Sequence, residues 1–340
     1  MTTHTEQEIL SQPDVWQQTI DALDPMTFAQ PFHGGITDVL VTGCGSTYYL
    51  ALSAAALLRE AGLRAWALPA SELIAEAAPK LVNPGGTLLL AISRSGATTE
   101  TVMAAQHFRR SGGRSIAVIT CYPDSALAEA ADVVWAAPAA AEQSVAQTRS
   151  FSSMLLIVSA IAGALRGGDL SALHALPPAA SAILDRSRPV MAALANDPAN
   201  ETFFFLGSGA LYGIASEGML KLKEMSLTSS EAYHAMEFRH GPMSMCDDRA
   251  AVIALVSPER ASLEEAVLSD ISPFGSRLVT VGVEGHHQIP GDIPTWASTA
   301  LYLLPLQLLA LERALGKGLD PDNPRHLTAV IHLNASPEAV

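Results

Sequence analysis

The stretch "VLVTGCGSTYYLALSAAALL" (residues 39–58) decides the fold, because "FFFLGSGALYGIASEGMLKL" (203–222) repeats its pattern 164 residues later. The matching pairs are Gly43 with Gly207, Gly45 with Gly209, and Tyr48 with Tyr212. Each copy has a short apolar run, a glycine-rich turn and a helical pattern in that order. The chain is therefore predicted to contain two related units.

Further apolar runs repeat at nearly the same spacing. "GTLLLAISRSG" corresponds to "RAAVIALVSPE", and "SIAVIT" corresponds to "RLVTVGV". Short, continuously apolar strands that alternate with helices are typical of parallel sheets covered on both faces. The predicted fold class is α/β, with two tandem, doubly wound parallel-sheet domains of the three-layer, flavodoxin-like type.

The predicted domain boundaries follow from this repeat, and 340 residues suit about two domains of ~150 residues each. We expect an amphipathic helical lead-in whose apolar residues are Ile9, Val15, Trp16, Ile20 and Leu23, interrupted by Pro13. The predicted segments are the lead-in at 1–30, the first domain at 31–175, a helical connector at 176–200, the second domain at 201–320 and a tail at 321–340.

Charge and composition exclude several classes of partner. The net charge of −14 argues against nucleic acid, which needs a basic face. The polar start "MTTHTEQEILSQPDVW" is no signal peptide, and apolar runs such as "LYLLPLQLLALERAL" fall short of the ~20 residues that a membrane span needs. We expect a cytoplasmic protein with no membrane or nucleic-acid partner.

Cysteine and histidine spacing predicts no metal and no cofactor. Cys44, Cys121 and Cys246 lie far apart without a CxxC pair, as suits a reducing compartment. The histidines other than His240, including the His286–His287 pair, form no metal-ligand pattern and are predicted to be surface residues.

Ligands of open α/β sheets bind beyond the carboxyl ends of the strands, which here are the loops at 43–48, 93–99, 142–151 and 207–212. In the second loop, hydroxyl side chains and free N–H groups at a helix start could hold a phosphate monoester. Alternatively, Ser95 or Thr98 only caps that helix. A dinucleotide is disfavoured, because Tyr48 replaces the third glycine of the usual motif and no acidic residue ends "LRAWAL".

One helix of the second unit carries a row of charges. Glu217, Lys221 and Glu224 lie at i, i+4 and i+7, on one helical face, whereas Lys223 points elsewhere. Such a row could serve proton transfer, or it could be a salt-bridged surface stripe of little energetic value. Residue spacing alone leaves both interpretations open.

Four motifs together resemble the SIS (sugar isomerase) domain family, most closely the isomerase half of the glucosamine-6-phosphate synthases. "GCGST" with "SRSGATTET" resembles its phosphate loops, and "EQSVAQTRSF" (142–151) its E-x-x-V-A-x-T segment. "SEGMLKLKEMSLTSSEAYHAMEFRHGPMSM" (216–245) resembles its catalytic run, and "DPDNPRHLT" (320–328) its tail. The resemblance covers nearly the whole chain.

The resemblance implies a set of site residues. It makes Glu224 the proton-shuttling base, with Glu217 and Lys221 shaping the site, and His240 the group that opens the sugar ring. Because the family supplies that histidine from the neighbouring subunit, a homodimer is expected. The implied phosphate-binding residues are Thr47, Ser93, Arg94, Ser95 and Thr98, and the implied sugar-lining residues are Gly45, Ser46, Val145 and Gln147.

The sequence departs from the synthases at two places. Thr2 stands where their glutaminase domain has its catalytic cysteine, so we expect the sugar half alone. Their tail also carries a lysine, four residues after the arginine of P-R-x-L, that forms an imine with the ketose. Ala329 occupies that position here, and no lysine follows Arg325.

The resemblance thus implies a hexosamine or hexose 6-phosphate as the small-molecule partner. The favoured reaction is isomerisation and deamination of glucosamine 6-phosphate to fructose 6-phosphate and ammonia. Galactosamine 6-phosphate and fructosamine-6-phosphate deglycation are chemically related alternatives. A sugar-phosphate sensor without turnover is the alternative from another class, and the presence of Glu224, Lys221 and His240 together favours the enzyme.

Overall fold

The computed structural model describes residues 2–74, 83–331 and 333. Part of the predicted tail, residues 332 and 334–340, lies outside the described residues. The strands are β1 (Asp38–Gly43), β2 (Arg64–Pro69), β3 (Thr87–Ile92), β4 (Ser115–Thr120), β5 (Val133–Ala136), β6 (Thr202–Gly207), β7 (Ser229–His234), β8 (Ala250–Leu255), β9 (Arg277–Gly282) and β10 (His287–Gln288).

The α-helices lie before, between and after these strands. They are α1 (His4–Leu10), α2 (Gln12–Asp21), α3 (Ser46–Glu60), α4 (Ala70–Ile74), α5 (Thr99–Arg110), α6 (Ala126–Glu129), α7 (Arg149–Leu165), α8 (Leu176–Asn196), α9 (Ala210–Ser226), α10 (Ala261–Ile271), α11 (Thr295–Ser298) and α12 (Leu303–Gly316). Short 3₁₀ turns fill several of the connections between them.

The strands form two five-stranded parallel sheets with the same order. The first runs β2-β1-β3-β4-β5 and the second β7-β6-β8-β9-β10, so the second sheet repeats the topology of the first. Strands β1, β3 and β4 correspond to β6, β8 and β9, as the sequence repeat predicted. The fold class is confirmed: the chain contains two tandem, doubly wound α/β domains.

The chain divides into two compact units, each built around one sheet. We call Val15–Ala141, Arg149–Leu170 and the tail from Thr328 the N-terminal unit. The C-terminal unit comprises Ser171–Leu327 together with Glu142–Thr148 and the segment that ends at Asp14. The predicted boundaries at 30, 175, 200 and 320 remain predictions.

Each sheet is buried by apolar residues on its helices. In the N-terminal unit, Leu40, Leu89 and Val118 of the central strands pack with Phe108 and Leu127 from the helical layers. All six residues of β1 and of β3 are buried, as expected for strands covered on both faces. The N-terminal unit therefore has a core of its own.

The C-terminal unit has a matching core. Phe204 and Val252 of the central strands pack with Val267 and Ile271 of α10 and with Phe238 of the loop after β7. The α12 helix is also buried along most of its length. Within the described part of the chain, none of the helices combines the length and apolar character needed to cross a bilayer.

The turn after β1 requires glycine for a steric reason. A Cβ atom on Gly43 would lie 2.6 Å from the backbone carbon and oxygen of Thr47, in the first turn of α3. Real Cβ atoms essentially never approach so closely, so the helix can start this near the strand only with glycine at position 43. This close approach lets the amino end of α3 begin directly at the carboxyl edge of the sheet.

The prediction that both His286 and His287 are surface residues is wrong for His287. The His286 ring is exposed, and its Nδ1 accepts a 3.0 Å hydrogen bond from the Thr280 N–H. His287 is buried instead, with Nδ1 2.8 Å from Oγ of Ser187. Desolvation lowers the pKa of His287 to about 4, so this ring is neutral near pH 7.

His287 predicts acid sensitivity of the C-terminal unit. Its folded-state pKa of about 4 lies below the ordinary 6.5, so the unfolded chain binds the extra proton and stability falls as the pH drops from 6.5 towards 4. Urea unfolding at several pH values should show this loss in the free energy of unfolding. In His287→Gln, the loss between pH 6.5 and 4 should be smaller by up to about 3 kcal/mol. A pH profile of His287→Gln that matches that of the wild type would contradict the assignment.

Candidate active site

The loop between β3 and α5, in the N-terminal unit, is held by hydrogen bonds to its own serines. Oγ of Ser93 accepts a 3.2 Å hydrogen bond from Gly96 N, and Oγ of Ser95 accepts one of 3.2 Å from Ala97 N. Thr98 holds the N-cap position, but its side chain makes no capping hydrogen bond. The simple capping role therefore does not apply to Thr98, and the loop is shaped by its own serines.

Gly96 is required by this loop. Its φ of +61° is a left-handed conformation, and a Cβ there would lie 1.9 Å from Oγ of Ser125. The start of the loop is fixed by the end of β4, because Thr120 Oγ1 and Cys121 N both donate hydrogen bonds to the Arg94 carbonyl. The loop is thus pinned from both sides at the amino end of a 12-residue helix.

The tail of the chain packs on the same loop. Nη2 of Arg94 donates a 3.0 Å hydrogen bond to the Ala329 carbonyl, and Thr99 N donates a 3.3 Å bond to the Ile331 carbonyl. Leu333 N in turn donates to Oγ1 of Thr99 at 3.2 Å. The position where the synthases carry an imine-forming lysine therefore lies, in this chain, within reach of the Arg94 guanidinium.

The first glycine-rich turn lies in the N-terminal unit too. Gly45, at φ +55°, is the N-cap of α3, and Ser46 and Thr47 begin the helix as buried residues. The Thr47 hydroxyl donates to the Cys44 carbonyl at 2.9 Å and accepts from the Cys44 N–H at 2.9 Å. These bonds make Thr47 part of the turn itself; its contact with a phosphate stays a prediction.

The charged row of α9 is buried in the C-terminal unit. Glu217 and Lys221 are fully buried, and the Glu224 side chain is 18% exposed. Nζ of Lys221 lies 3.3 Å from Oε1 of Glu217 and forms a very short ion pair with Oε2 of Glu224. Lys223 is exposed, as expected for the opposite face. The interpretation of this row as a solvated surface stripe is therefore wrong.

Burying three ionisable groups on one helix is energetically demanding. Burial alone lowers the pKa of Lys221, but the charges of Glu217 and Glu224 outweigh it and raise that pKa above its ordinary value. Lys221 is thus held as an ammonium between two carboxylates. Buried ionisable groups with perturbed pKa values and close charge partners cluster at functional sites, so the row is a candidate for acid-base chemistry.

His240 lies on an exposed loop that is anchored on both sides. Phe238 is fully buried against Phe204, with ring centroids 5.3 Å apart, and Arg239 Nε donates to Asp270 at 2.7 Å. Gly241, at φ +133°, turns the chain immediately after His240. The loop thus presents an imidazole at the surface on a fixed base.

The segment Glu142–Thr148 belongs to the C-terminal unit and carries the predicted residues Val145 and Gln147. Val145 N donates a 3.3 Å bond to the Asp322 carbonyl. Oε1 of Gln147 is buried and has no hydrogen-bond partner among the residues that the structure describes. A buried amide oxygen without a partner is costly unless a ligand or water satisfies it, which agrees with a sugar-lining role.

Two acidic residues that sequence reasoning missed hold this segment and the start of the chain. Glu8 Oε1 accepts from Gln143 N at 2.6 Å, and burial raises the pKa of Glu8. Both carboxylate oxygens of Asp322 bind the start of α1, through His4 N at 2.8 Å and Thr5 N at 2.7 Å. Glu8 stands in no motif, and the tail motif at 320–328 that contains Asp322 does not indicate its partners, so only the contacts in space show these roles.

The predicted site residues fall into two groups. The residues assigned to phosphate lie in the N-terminal unit, together with the sugar-lining residues Gly45 and Ser46. The catalytic residues and the other two sugar-lining residues lie in the C-terminal unit: Glu217, Lys221, Glu224, His240, Val145 and Gln147. Over residues 2–74, 83–331 and 333, no three His, Cys, Asp or Glu side chains are arranged to hold a metal ion.

Comparison with known proteins identifies the family. The model of the SIS domain matches residues 37–164 and 198–272, which together make up more than half of the chain. The two matched segments contain the central strands of the two sheets, β1 and β3 in the first and β6 and β8 in the second.

Relatives of known activity match over almost the whole chain. A glutamine–fructose-6-phosphate aminotransferase (isomerizing) of Zymomonas mobilis is 30% identical over 95% of this chain, and one of Xanthomonas campestris is 31% identical over 95%. The chain spans 57% and 58% of the length of these relatives.

Solved structures show the same architecture. A glucosamine-6-phosphate deaminase from Thermotoga maritima superposes with a TM-score of 0.88 at 28% identity, covering 97% of this chain and 100% of that one. A tagatose-6-phosphate ketose/aldose isomerase from Escherichia coli has a TM-score of 0.83 at 23% identity, covering 98% and 97%, and at that identity supports the fold alone.

Proposed function

Because the chain belongs to the SIS domain family, we propose that it is a phosphosugar isomerase that deaminates an aminosugar 6-phosphate. The best candidate substrate is glucosamine 6-phosphate, converted to fructose 6-phosphate and ammonia. The observation that carries the proposal is the buried Glu217–Lys221–Glu224 row of α9. A protein that only binds sugar phosphate has no need for this costly set of groups.

The N-terminal unit is assigned the phosphate. Hydroxyl groups of Ser93, Ser95 and Thr98 and the amino end of α5 provide hydrogen-bond donors and a favourable helix dipole for a dianion. Arg94 adds a guanidinium, which favours phosphate strongly. Its present bond to the Ala329 carbonyl is one that a bound phosphate would have to share or displace.

The C-terminal unit is assigned the proton transfers. His240 would open the pyranose ring by moving a proton between O5 and O1, a task for an imidazole near neutral pH. Glu224, the most accessible member of the row, would then remove the C2 proton and return it to C1. Lys221 would hold Glu224 in place through their ion pair, with Glu217 as the second counter-charge of Lys221.

The steps balance without a cofactor. Breaking C2–H and forming C1–H converts the open-chain 2-amino aldehyde into the 2-imine of fructose 6-phosphate, through an enolamine. Water then adds to the C2 imine, and ammonia leaves. In this direction the substrate's own nitrogen forms the imine, so Ala329 in place of a tail lysine is no obstacle.

We further propose that His240 acts across a homodimer. The loop is firmly anchored at Phe238 and Arg239, yet it exposes the His240 ring at its tip. An exposed imidazole on a rigid loop suits delivery to a neighbouring subunit. A cytoplasmic location remains an expectation from composition.

A panel of 6-phosphosugars tests the function. Purified protein should release ammonia and fructose 6-phosphate in equal amounts from glucosamine 6-phosphate, and the panel should include galactosamine 6-phosphate and a fructosamine 6-phosphate. Release from one of the latter two would reassign the substrate within the same chemistry. Tight binding of these compounds without ammonia release from any of them would favour the sensor function instead.

A further inference from the structure

The C-terminal unit has its own loop at the strand end that corresponds to the phosphate loop. This loop follows β8 and leads into α10, as the Ser93 loop follows β3 and leads into α5. The repeat therefore places a second potential ligand position at the carboxyl end of β8. Its chemistry differs from that of the first.

A side chain of the protein already occupies the anion position of this loop. Glu264, which is 2% exposed, accepts a 2.8 Å hydrogen bond from Ser257 N, and the Ser208 side chain lies within hydrogen-bonding reach of the same carboxyl group. The Arg260 guanidinium packs on the glycine turn, where a Cβ on Gly209 would lie 3.0 Å from its Nη1. An external phosphate would meet the buried carboxylate here and be repelled.

Beside this loop lies a cavity of about 430 Å³, between the ends of β8 and β9. Its walls include the apolar side chains of Val256, Pro258 and Val283. The charged residues of its lining, Glu265 and Glu284, are both acidic and both exposed. The field in the cavity thus attracts cations and repels anions.

A buried serine also lines this cavity. Ser257 lines it and is 2% exposed, and its Oγ has no hydrogen-bond partner among the described residues. A buried hydroxyl without a partner is energetically unfavourable unless a ligand or water completes it. Ser257 therefore adds an unsatisfied polar group to the wall of a cavity whose charged lining residues are acidic.

We propose that this cavity is a second ligand site and that it binds a small, unphosphorylated molecule carrying a primary ammonium group, of the hexosamine class. An ammonium has three donors, and Glu265, Glu284 and the Ser257 hydroxyl provide acceptors for them. The apolar walls suit the C–H face of a sugar ring. The two units would then read opposite charges, phosphate in one and ammonium in the other.

Equilibrium dialysis with radiolabelled D-glucosamine near neutral pH tests the site. The wild-type protein should bind it saturably, and unlabelled D-glucose, which lacks the amine, should not compete. Glu265→Gln/Glu284→Gln should weaken binding by about tenfold or more, because two charge-assisted contacts are lost. Ser257→Ala should weaken it by a smaller factor, and Glu129→Gln, an exposed carboxylate of the N-terminal unit, should have no effect.

A further variant separates this site from the proposed substrate site. Ser95→Ala/Thr98→Val alters the phosphate loop and should leave glucosamine binding intact. Loss of binding in that variant would mean that the probe enters the substrate site, and would overturn the proposal. Absence of saturable binding to the wild type, or full binding to Glu265→Gln/Glu284→Gln, would overturn it as well. The outcome does not depend on whether the proposed deamination occurs.

Discussion

Glu224→Gln is expected to lower kcat for hexosamine 6-phosphate deamination by about 10²–10⁴-fold, the usual contribution of a positioned general base. Glutamine has the size of glutamate but cannot accept the C2 proton. Lys221 keeps its contact with Glu217 in this variant, so the fold should persist. Steady-state ammonia release measures the effect, with calorimetric titration of the substrate as the binding readout.

The binding measurement distinguishes a loss of catalysis from a loss of substrate binding. Because the phosphate is assigned to the N-terminal unit, Kd for glucosamine 6-phosphate should change little in Glu224→Gln. The matched control is Glu201→Gln, which changes an exposed carboxylate of the C-terminal unit, the unit that contains Glu224. This variant should retain full activity. Near wild-type turnover by Glu224→Gln would remove Glu224 from the mechanism.

Lys221→Met is expected to destabilise the protein by about 3–5 kcal/mol, the usual effect of breaking a buried ion pair from one side. Methionine fills the space of the lysine stem but leaves the fully buried Glu217 carboxylate without its counter-charge. Urea unfolding followed by circular dichroism gives the free energy of unfolding. Part of the loss should be recovered in Glu217→Gln/Lys221→Met, where the uncompensated charge is gone.

The helix provides a matched control for this change. Lys223→Met makes the same substitution two residues further on, at an exposed position, and should change stability by no more than about 0.5 kcal/mol. If Lys221→Met and Lys223→Met unfold at the same urea concentration, the buried ion-pair network of α9 does not exist in solution.

The fold could be predicted because its signals are local and occur twice. Continuous apolar runs such as β3 and β8 indicate parallel strands, and Gly43 and Gly207 mark equivalent turns. The burial of the α9 row could not be predicted in the same way. A spacing of i, i+4 and i+7 defines one face of a helix, but only packing decides whether water or protein covers that face.

Other features depend on partners that lie far away in the sequence. Asp322 binds the start of α1 through His4 and Thr5, more than 300 residues away, and nothing in its local sequence indicates this. His287 seemed to belong with its exposed neighbour His286, yet His286 lies in the turn before β10, whereas His287 is the first residue of that strand and packs against Ser187. A dipeptide of identical residues therefore conceals one exposed and one buried group.

We propose that this chain moves a proton between C2 and C1 of a hexosamine 6-phosphate. The most direct measurement is deamination of glucosamine 6-phosphate in D₂O, with the product analysed by mass spectrometry and NMR. We expect the wild type, and not Glu224→Gln, to form fructose 6-phosphate with deuterium at C1. Tight binding of the hexosamine 6-phosphates with neither product nor deuterium incorporation would contradict it.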